Sequence, residues 1–171
     1  MPMTFYQSSI PQFIQALTAL SGMLDKAEAY ATEKKIDHAA LLGMRLNPTM
    51  WTLGKQVQSA SAWAVRTAGY LAGQTPPAME DSEKTIPELK ARVAKAIEFL
   101  KSIKATDVDG QEDRDIVVKL GANETKFKAM NFLQYFALPN FMFHTTTTYN
   151  IMRQSGIELA KRDFLGKKPE A

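Results

Sequence analysis

Four long stretches of the chain place apolar residues at every third or fourth position, the spacing that puts them on one face of an α-helix. The first stretch covers residues 4–35, with Thr4 as a suitable N-cap. Pro11 lies in its early turns and predicts either a bend or the true start of the helix. The second covers residues 50–72 and is closed by Gly73. Its many alanines predict a close approach to a neighbouring helix.

A third helix is predicted to begin after Thr85, because Pro87 falls in its first turn and Glu88 completes a capping box with the threonine. Its apolar positions continue to Ile103. The last and longest helical pattern covers residues 127–156. Pro139 interrupts this pattern and predicts a kink, because proline removes a backbone donor and clashes with the preceding turn.

The connecting segments differ from one another. Residues 36–49 hold a short helical piece with Asp37 as its N-cap, and residues 74–82 form a proline-rich loop. Between residues 105 and 127 the apolar period changes to two on either side of the sequence GANE, which predicts a β-hairpin. We therefore expect a single domain over residues 1–171, an all-α up-down four-helix bundle with a small β-hairpin before the last helix.

Composition narrows the classes of function. The chain of 171 residues is 45% hydrophobic, carries a formal charge of +3 and contains no cysteine. The absence of cysteine excludes disulfides and thiolate catalysis, and the interleaved charges form no continuous basic face for nucleic acid. The first residues lack the pattern of a signal peptide, and no apolar run is long enough to span a membrane. We expect a cytoplasmic protein that binds neither nucleic acid nor membrane.

Two polar residues interrupt the apolar stripe of the last helix. Asn140 and His144 are four residues apart and so lie next to each other on one helix face. A buried amide or imidazole without a partner costs about 1–3 kcal/mol, so each requires a hydrogen bond, a ligand or a water. Three interpretations stay open: a buried hydrogen-bonded pair, a metal-free pocket for a small ligand, and a weak or substrate-completed metal site at His144. The apolar stripe that these two polar residues interrupt consists of Leu133, Phe136, Phe143 and Ile151.

Other residues are candidates for lining the same pocket. Gln56 and Ser59 flank the apolar stripe of the second helix, where they are suited either to a pocket or to a helix boundary. The threonines at positions 145–148 are expected to bond back to carbonyls one turn earlier, although hydroxyls such as that of Thr147 would alternatively line the pocket. Phe141 and Met142 belong either to the core or to a surface for a partner subunit.

Several phrases of the sequence resemble a known family. The run ALPNFMFHTTTTYNIMRQSGIELAKRDFLG, with LDKAEAYA, KQVQSAS and VKLG earlier in the chain, resembles an uncharacterised family of unknown function in the DinB-like (YfiT-like) superfamily of four-helix bundles. The resemblance covers nearly the whole chain, and ALPNFxFH and KRDFLG are its most specific parts. It implies the bundle fold and a homodimer.

The resemblance also implies where a site would lie. The superfamily includes metalloenzymes, among them thiol-dependent transferases and isomerases, with one histidine from the second helix and an H-x-x-x-H pair on the last. By position relative to Arg153 and Gly156, His144 falls on the second histidine of that pair and Asn140 on the first. The helix-two histidine falls at about Gln56 or Ser59.

This chain departs from the metal-binding pattern. It contains two histidines, and His38 lies in a connecting segment. Carboxamide oxygens are weak ligands for zinc, so we expect no metal and no other cofactor. Two classes of function remain: a metal-free small-ligand-binding or stress-related protein with a pocket near His144, or a degenerate metal-dependent transferase- or hydrolase-like enzyme that uses His144 as ligand or base. The expected partners are a small molecule and a second copy of the chain.

Overall fold

The computed structural model describes residues 2–120 and 122–167. A π-helical turn, Leu133–Ala137, connects α6 to α7. The helices and strands are α1 (Ile10–Lys34), α2 (His38–Leu42), α3 (Leu53–Ala72), α4 (Ile86–Ser102), α5 (Ala105–Val108), β1 (Asp115–Leu120), β2 (Asn123–Lys128), α6 (Ala129–Phe132), α7 (Leu138–Gln154) and α8 (Lys161–Leu165).

The four long helices form the bundle. Helix α1 packs beside α4 and α7, and α3 packs beside the same two helices. The chain therefore crosses the bundle diagonally from α1 to α3 and again from α4 to α7, using its two longest connections. The predicted four-helix bundle with a hairpin before the last helix is confirmed. Its fully buried side chains include Phe13, Leu17, Leu20, Leu53, Leu71, Leu89, Phe132 and Phe141. In the described part of the chain, no helix is both long and apolar enough to cross a bilayer.

Local sequence signals mark where the helices begin. Helix α1 starts at Ile10 rather than Thr4, with Pro11 in its first turn, so Pro11 marks the true start of the helix. Helix α3 starts at Leu53 rather than at residue 50, because the Thr52 side chain caps it by accepting the Lys55 N–H.

Other predicted signals lie where the sequence places them. The Thr85 side chain accepts the Glu88 N–H at 3.3 Å, and the Glu88 carboxylate accepts the Thr85 N–H at 3.0 Å. This reciprocal pair is the predicted capping box. Asp37 caps α2 by accepting the Ala39 N–H at 2.9 Å. Gly73 ends α3 with φ +67°, a left-handed conformation that favours glycine.

The hairpin packs its apolar side against the bundle. Strands β1 and β2 pair antiparallel, with Asp115 opposite Lys128. Ile116 and Val118 are buried, and both strands contact α6. The predicted turn GANE is shorter than expected, since its last two residues, Asn123 and Glu124, belong to β2; its first residue, Gly121, lies outside the described residues.

The predicted disturbance at Pro139 takes the form of the π-helical turn immediately before it. Leu138 donates its N–H to the Leu133 carbonyl, five residues earlier, and Pro139 follows without an N–H to donate. After this turn, Phe141 lies three residues before His144 and seven before Thr148, so it shares their buried face and is fully buried. Phe143 lies off that face and is 53% exposed, although it was predicted on the apolar stripe. A core position is therefore confirmed for Phe141 and wrong for Phe143.

Candidate functional site

His144 and Gln56 meet across the interface between α7 and α3. The imidazole Nδ1 lies 2.7 Å from the Gln56 Oε1, and both residues are buried, with 5% and 1% of their surfaces exposed. His144 was expected to pair with Asn140, but the hydrogen bond that the structure gives its side chain is with Gln56, a predicted pocket residue of the second helix. The residues that the sequence places 88 positions apart are thus one hydrogen-bonded pair in the core of the site.

The orientation of the Gln56 amide determines which histidine nitrogen carries the proton. Its Nε2 lies 3.4 Å from the Trp51 carbonyl oxygen, to which it donates a hydrogen bond. This leaves the Gln56 Oε1, which can only accept, facing the His144 Nδ1. The imidazole therefore carries its proton on Nδ1, and the lone pair of its Nε2 points away from Gln56.

The second nitrogen of His144 has no protein partner in the described part of the chain. Among the side chains of residues 2–120 and 122–167, one polar atom is both fully enclosed and without a hydrogen bond, and it is the Thr67 Oγ1. The His144 Nε2 has no hydrogen bond within these residues but is not such an atom, so it retains contact with solvent. Burial lowers the pKa of His144 from 6.5 to about 4. At neutral pH the residue is an uncharged imidazole with one open acceptor position.

Two aromatic rings flank this imidazole. The Trp51 ring stacks on it with centroids 5.6 Å apart and an interplanar angle of 7°, and the Phe143 ring meets it edge-on at 5.3 Å. Trp51 and Phe143 are each about half exposed, at 51% and 53%. The Lys55 ammonium lies 5.6 Å from the centroid of the Trp51 ring. The site is therefore a shallow aromatic surface around a recessed acceptor, which we call the His144 surface.

The other predicted pocket residues make no hydrogen bond to this pair among the described residues. Asn140 and Ser59 are half-buried and Thr147 is buried, but no hydrogen bond within the described residues joins any of them to His144 or Gln56. The back-bonding predicted for the threonine run is present at two positions: the Thr145 hydroxyl donates to the Phe141 carbonyl, and the Thr148 hydroxyl donates to the His144 carbonyl.

The residues of the site do not fit the metal centre that the superfamily implies. Among the described residues, no group of three histidine, cysteine or acidic side chains is placed to hold an ion. Both ends of the Gln56 amide are already engaged, with His144 and with the Trp51 carbonyl. His38 lies on α2, where its Nδ1 accepts the Ile86 N–H at 3.4 Å. One imidazole and a committed amide are a poor ligand set for zinc or nickel.

Sequence reasoning missed a second polar cluster, around Arg92. This guanidinium is 4% exposed and donates to the Ser61 hydroxyl at 2.7 Å, to Asp81 at 3.0 Å and to Glu83 at 3.0 Å. It fixes the loop between α3 and α4 to both helices. The sequence did contain an indication, because Arg92 is next to Val93, one of the apolar core positions of α4. From sequence alone, such an arginine is interpreted as a residue at the edge of the buried face.

The helical bundle places the chain in a class of protein: it is a DinB-like helical bundle. It belongs to the family described as a domain of unknown function (DUF1993), whose model matches residues 5–165. The crystal structure of a DinB family member protein from Shewanella denitrificans is similar, with a TM-score of 0.87 and 34% identity, over 97% of this chain and 94% of that one. No curated protein matches. The resemblance seen in the sequence is confirmed.

Proposed function

We propose that this protein binds a small organic ligand at the His144 surface without a metal and without catalysing a reaction. The observation that supports this most directly is the geometry of the imidazole: Gln56 holds its Nδ1–H, while Nε2 has no protein partner within the described residues. Of the two non-catalytic roles that the sequence leaves open, ligand binding or a stress-related role, this geometry favours binding.

The protonation state of His144 favours binding over catalysis. A general base works best when its pKa lies near the pH at which the enzyme operates. Burial lowers the pKa of His144 to about 4, so at neutral pH it is a weak base that stays uncharged. A neutral imidazole held in one tautomer by Gln56 is well suited to accept a hydrogen bond in a fixed direction.

The surroundings define the chemistry of the ligand. Trp51 and Phe143 offer half-exposed aromatic rings beside the imidazole, which favours a planar or apolar ring in the ligand. The open acceptor requires an O–H or N–H donor on that ring. We therefore infer a small aromatic or cyclic molecule with a hydroxyl or N–H group.

A matched pair of probes tests this inference. Phenol carries the donor, and anisole has the same ring without it. We expect phenol to bind about two- to tenfold more tightly, because one hydrogen bond contributes about 0.5–1.5 kcal/mol. In nitrogen NMR spectra of labelled protein, phenol should shift the His144 Nε2 resonance and leave that of His38 in place.

Two variants separate the hydrogen bond from the ring contact. His144→Phe keeps a ring in the stack and removes the acceptor, so the preference for phenol over anisole should disappear. Trp51→Leu removes a stacking face and should weaken both probes together. Equal affinity of phenol and anisole for the unmodified protein, or an Nε2 resonance unmoved at saturation, would contradict the proposal.

We also propose that the chain forms a homodimer through the outer face of its last helical segment. Tyr135 is 75% exposed, and Met142 and Phe143 are 38% and 53% exposed. Large apolar side chains clustered on one exposed segment commonly mark an interaction surface. If Phe143 is covered in a dimer, the second subunit lies beside the His144 surface and narrows the entry for a ligand.

A further inference from the structure

A second candidate site lies on the opposite side of α1 from the core. An open groove of about 960 Å³ runs between α1 and the segment around α8. Its floor on α1 comprises Pro11, Ile14, Gln15, Thr18, Ala19 and Gly22, and it ends at Lys26. These positions recur every three or four residues along about 22 Å of helix, since each residue rises about 1.5 Å.

The composition of α1 is unusual for a helix face that meets solvent. From Ile10 to Leu24 the helix contains no charged residue, although Pro11, Thr18 and Gly22 are exposed. Gln15 and Thr18 lie on this face, but their amide and hydroxyl already donate to the Leu165 and Ile14 carbonyls, at 3.0 Å and 2.7 Å. The surface left open in the groove is therefore uncharged and suits an apolar group.

Gly22 supports this interpretation independently. A glycine inside a helix lowers its stability, and a Cβ at Gly22 would have no atom within 4 Å. No packing within the described structure therefore requires glycine there. At Ala19, less than one helical turn before Gly22, the space is filled. A Cβ on Gly166 would approach the Ala19 Cβ at 3.1 Å. The chain after α8 closes against α1 at Ala19, and the groove stays open at Gly22.

Charge is concentrated at the groove's rim. Lys26, Arg162 and Lys167 line it together with one carboxylate, Asp163. Asp163 pairs with Lys26 at 2.8 Å. Arg162 makes no salt bridge among the described residues, and it directly precedes Asp163, the carboxylate of the Lys26–Asp163 pair. The rim therefore has an excess of positive charge beside an apolar floor.

We propose that this groove binds an elongated amphiphilic anion, such as a long-chain carboxylate, with its apolar part along Ile14, Thr18 and Gly22 and its anionic group beside Arg162. The length of the uncharged floor suits an extended chain rather than a compact ring. The positive rim selects a negatively charged end over a neutral one. This site is separate from the His144 surface and does not depend on the function proposed there.

The test uses the full chain, one fluorescent probe and two competing ligands. Anilinonaphthalene sulfonate is an anion whose emission rises in apolar sites, and dodecanoate should displace it in a saturable manner. Dodecanol, with the same chain and no charge, should compete about two- to fivefold less well, as expected for one exposed ion pair. Arg162→Gln should remove this difference, whereas Lys161→Gln, an exposed neighbour outside the groove, should keep it.

Filling the groove should abolish binding while the fold survives. Gly22→Leu places a side chain in the open space and replaces a poor helix former, so its melting temperature should rise while displacement by dodecanoate is lost. Thr18→Glu, at an exposed position, should also abolish binding by adding a negative charge to the floor. Ala94→Leu adds the same apolar side chain on the exposed side of α4 and should bind like the unmodified protein.

Three results would overturn the proposal. The first is binding that Gly22→Leu and Thr18→Glu leave unchanged. The second is equal competition by dodecanoate and dodecanol. The third is the absence of probe binding together with a dimer that Thr18→Glu splits into monomers, since the groove would then be a contact between copies of the chain.

Discussion

His144 has a consequence for stability that depends on pH. Its pKa in the folded protein is about 4, below the ordinary value of 6.5, so between these values the unfolded chain binds more protons than the folded one. The stability associated with the neutral imidazole is complete above pH 6.5 and is lost as the pH falls towards 4. We expect denaturant melts to show a decrease of about 1.4 kcal/mol between about pH 7.5 and about pH 5.5 from this group.

Variants of His144 test that assignment. His144→Ala should lower the free energy of unfolding by about 2–4 kcal/mol near neutral pH, because it leaves a void and an unpaired Gln56 oxygen. His144→Gln should cost less and should remove this part of the pH dependence. His38→Gln provides the control and should retain it. Losses below about 0.5 kcal/mol for both His144 variants would exclude a structural role.

Thr67 offers a different test at the residue scale. Its side chain is fully buried, and its Oγ1 has no hydrogen-bond partner among the described residues. Thr67→Val removes this hydroxyl at nearly constant shape and should raise the free energy of unfolding by about 1 kcal/mol or more. Thr148→Val is the matched control: its hydroxyl donates to the His144 carbonyl at 2.9 Å, so no comparable gain is expected. Chemical denaturation of both variants gives the comparison.

Helix α1 provides a prediction at the scale of an element. Gly22 has helical geometry and open space around it, so Gly22→Ala should stabilise the protein by about 0.5–1 kcal/mol. Gly73→Ala should have the opposite effect, because Gly73 has φ +67° and a Cβ there would meet the Arg114 guanidinium at 2.6 Å. Thermal melts of the two variants should shift in opposite directions; a loss of stability for Gly22→Ala would contradict the assignment of open space.

The elements also show which features the sequence can predict. Short-range signals were sufficient for the Thr85–Glu88 capping box, the Gly73 helix end and the hairpin, because each depends on residues close together in the chain. The π-helical turn before α7 was not predictable in the same way. It inserts one residue into the helical repeat, and its position depends on how Pro139 and the residues before it pack against the bundle.

The hydrogen-bond partner of His144 was predictable only in part. Gln56 and Asn140 were both compatible with the sequence, and the choice between them depends on which helices are neighbours. Because α7 packs beside α3, the glutamine reaches the imidazole. Trp51 was missed, since it precedes α3 in a segment whose path over the site cannot be deduced from periodicity.

For the whole molecule, we expect purification without an affinity tag to yield protein without stoichiometric zinc, nickel or iron. One imidazole and an engaged carboxamide give a weak ligand set. Elemental analysis by mass spectrometry, before and after dialysis against each metal, measures the content. One tightly held ion per chain that disappears in His144→Ala would instead favour the degenerate-enzyme alternative.

The oligomeric state is the second prediction at this scale. Light scattering coupled to size-exclusion chromatography should give a dimer mass for the unmodified protein. Met142→Glu, on the exposed part of α7, should shift the mass towards that of a monomer, because burying an unpaired charge at an interface is costly. Glu98→Lys, an exposed change on α4, should leave it unchanged. A monomer at high concentration would refute the dimer.

Arg92 connects the loop before α4 to the rim of the His144 surface. Its guanidinium binds Asp81, the same carboxylate pairs with Lys55, and the Lys55 ammonium lies 5.6 Å from the Trp51 ring. Backbone amides of the loop that Arg92 holds should therefore exchange their hydrogens slowly for an exposed connection. Arg92→Met should accelerate that exchange and at the same time change the emission of Trp51, reporting from outside the site on how firmly the indole is held.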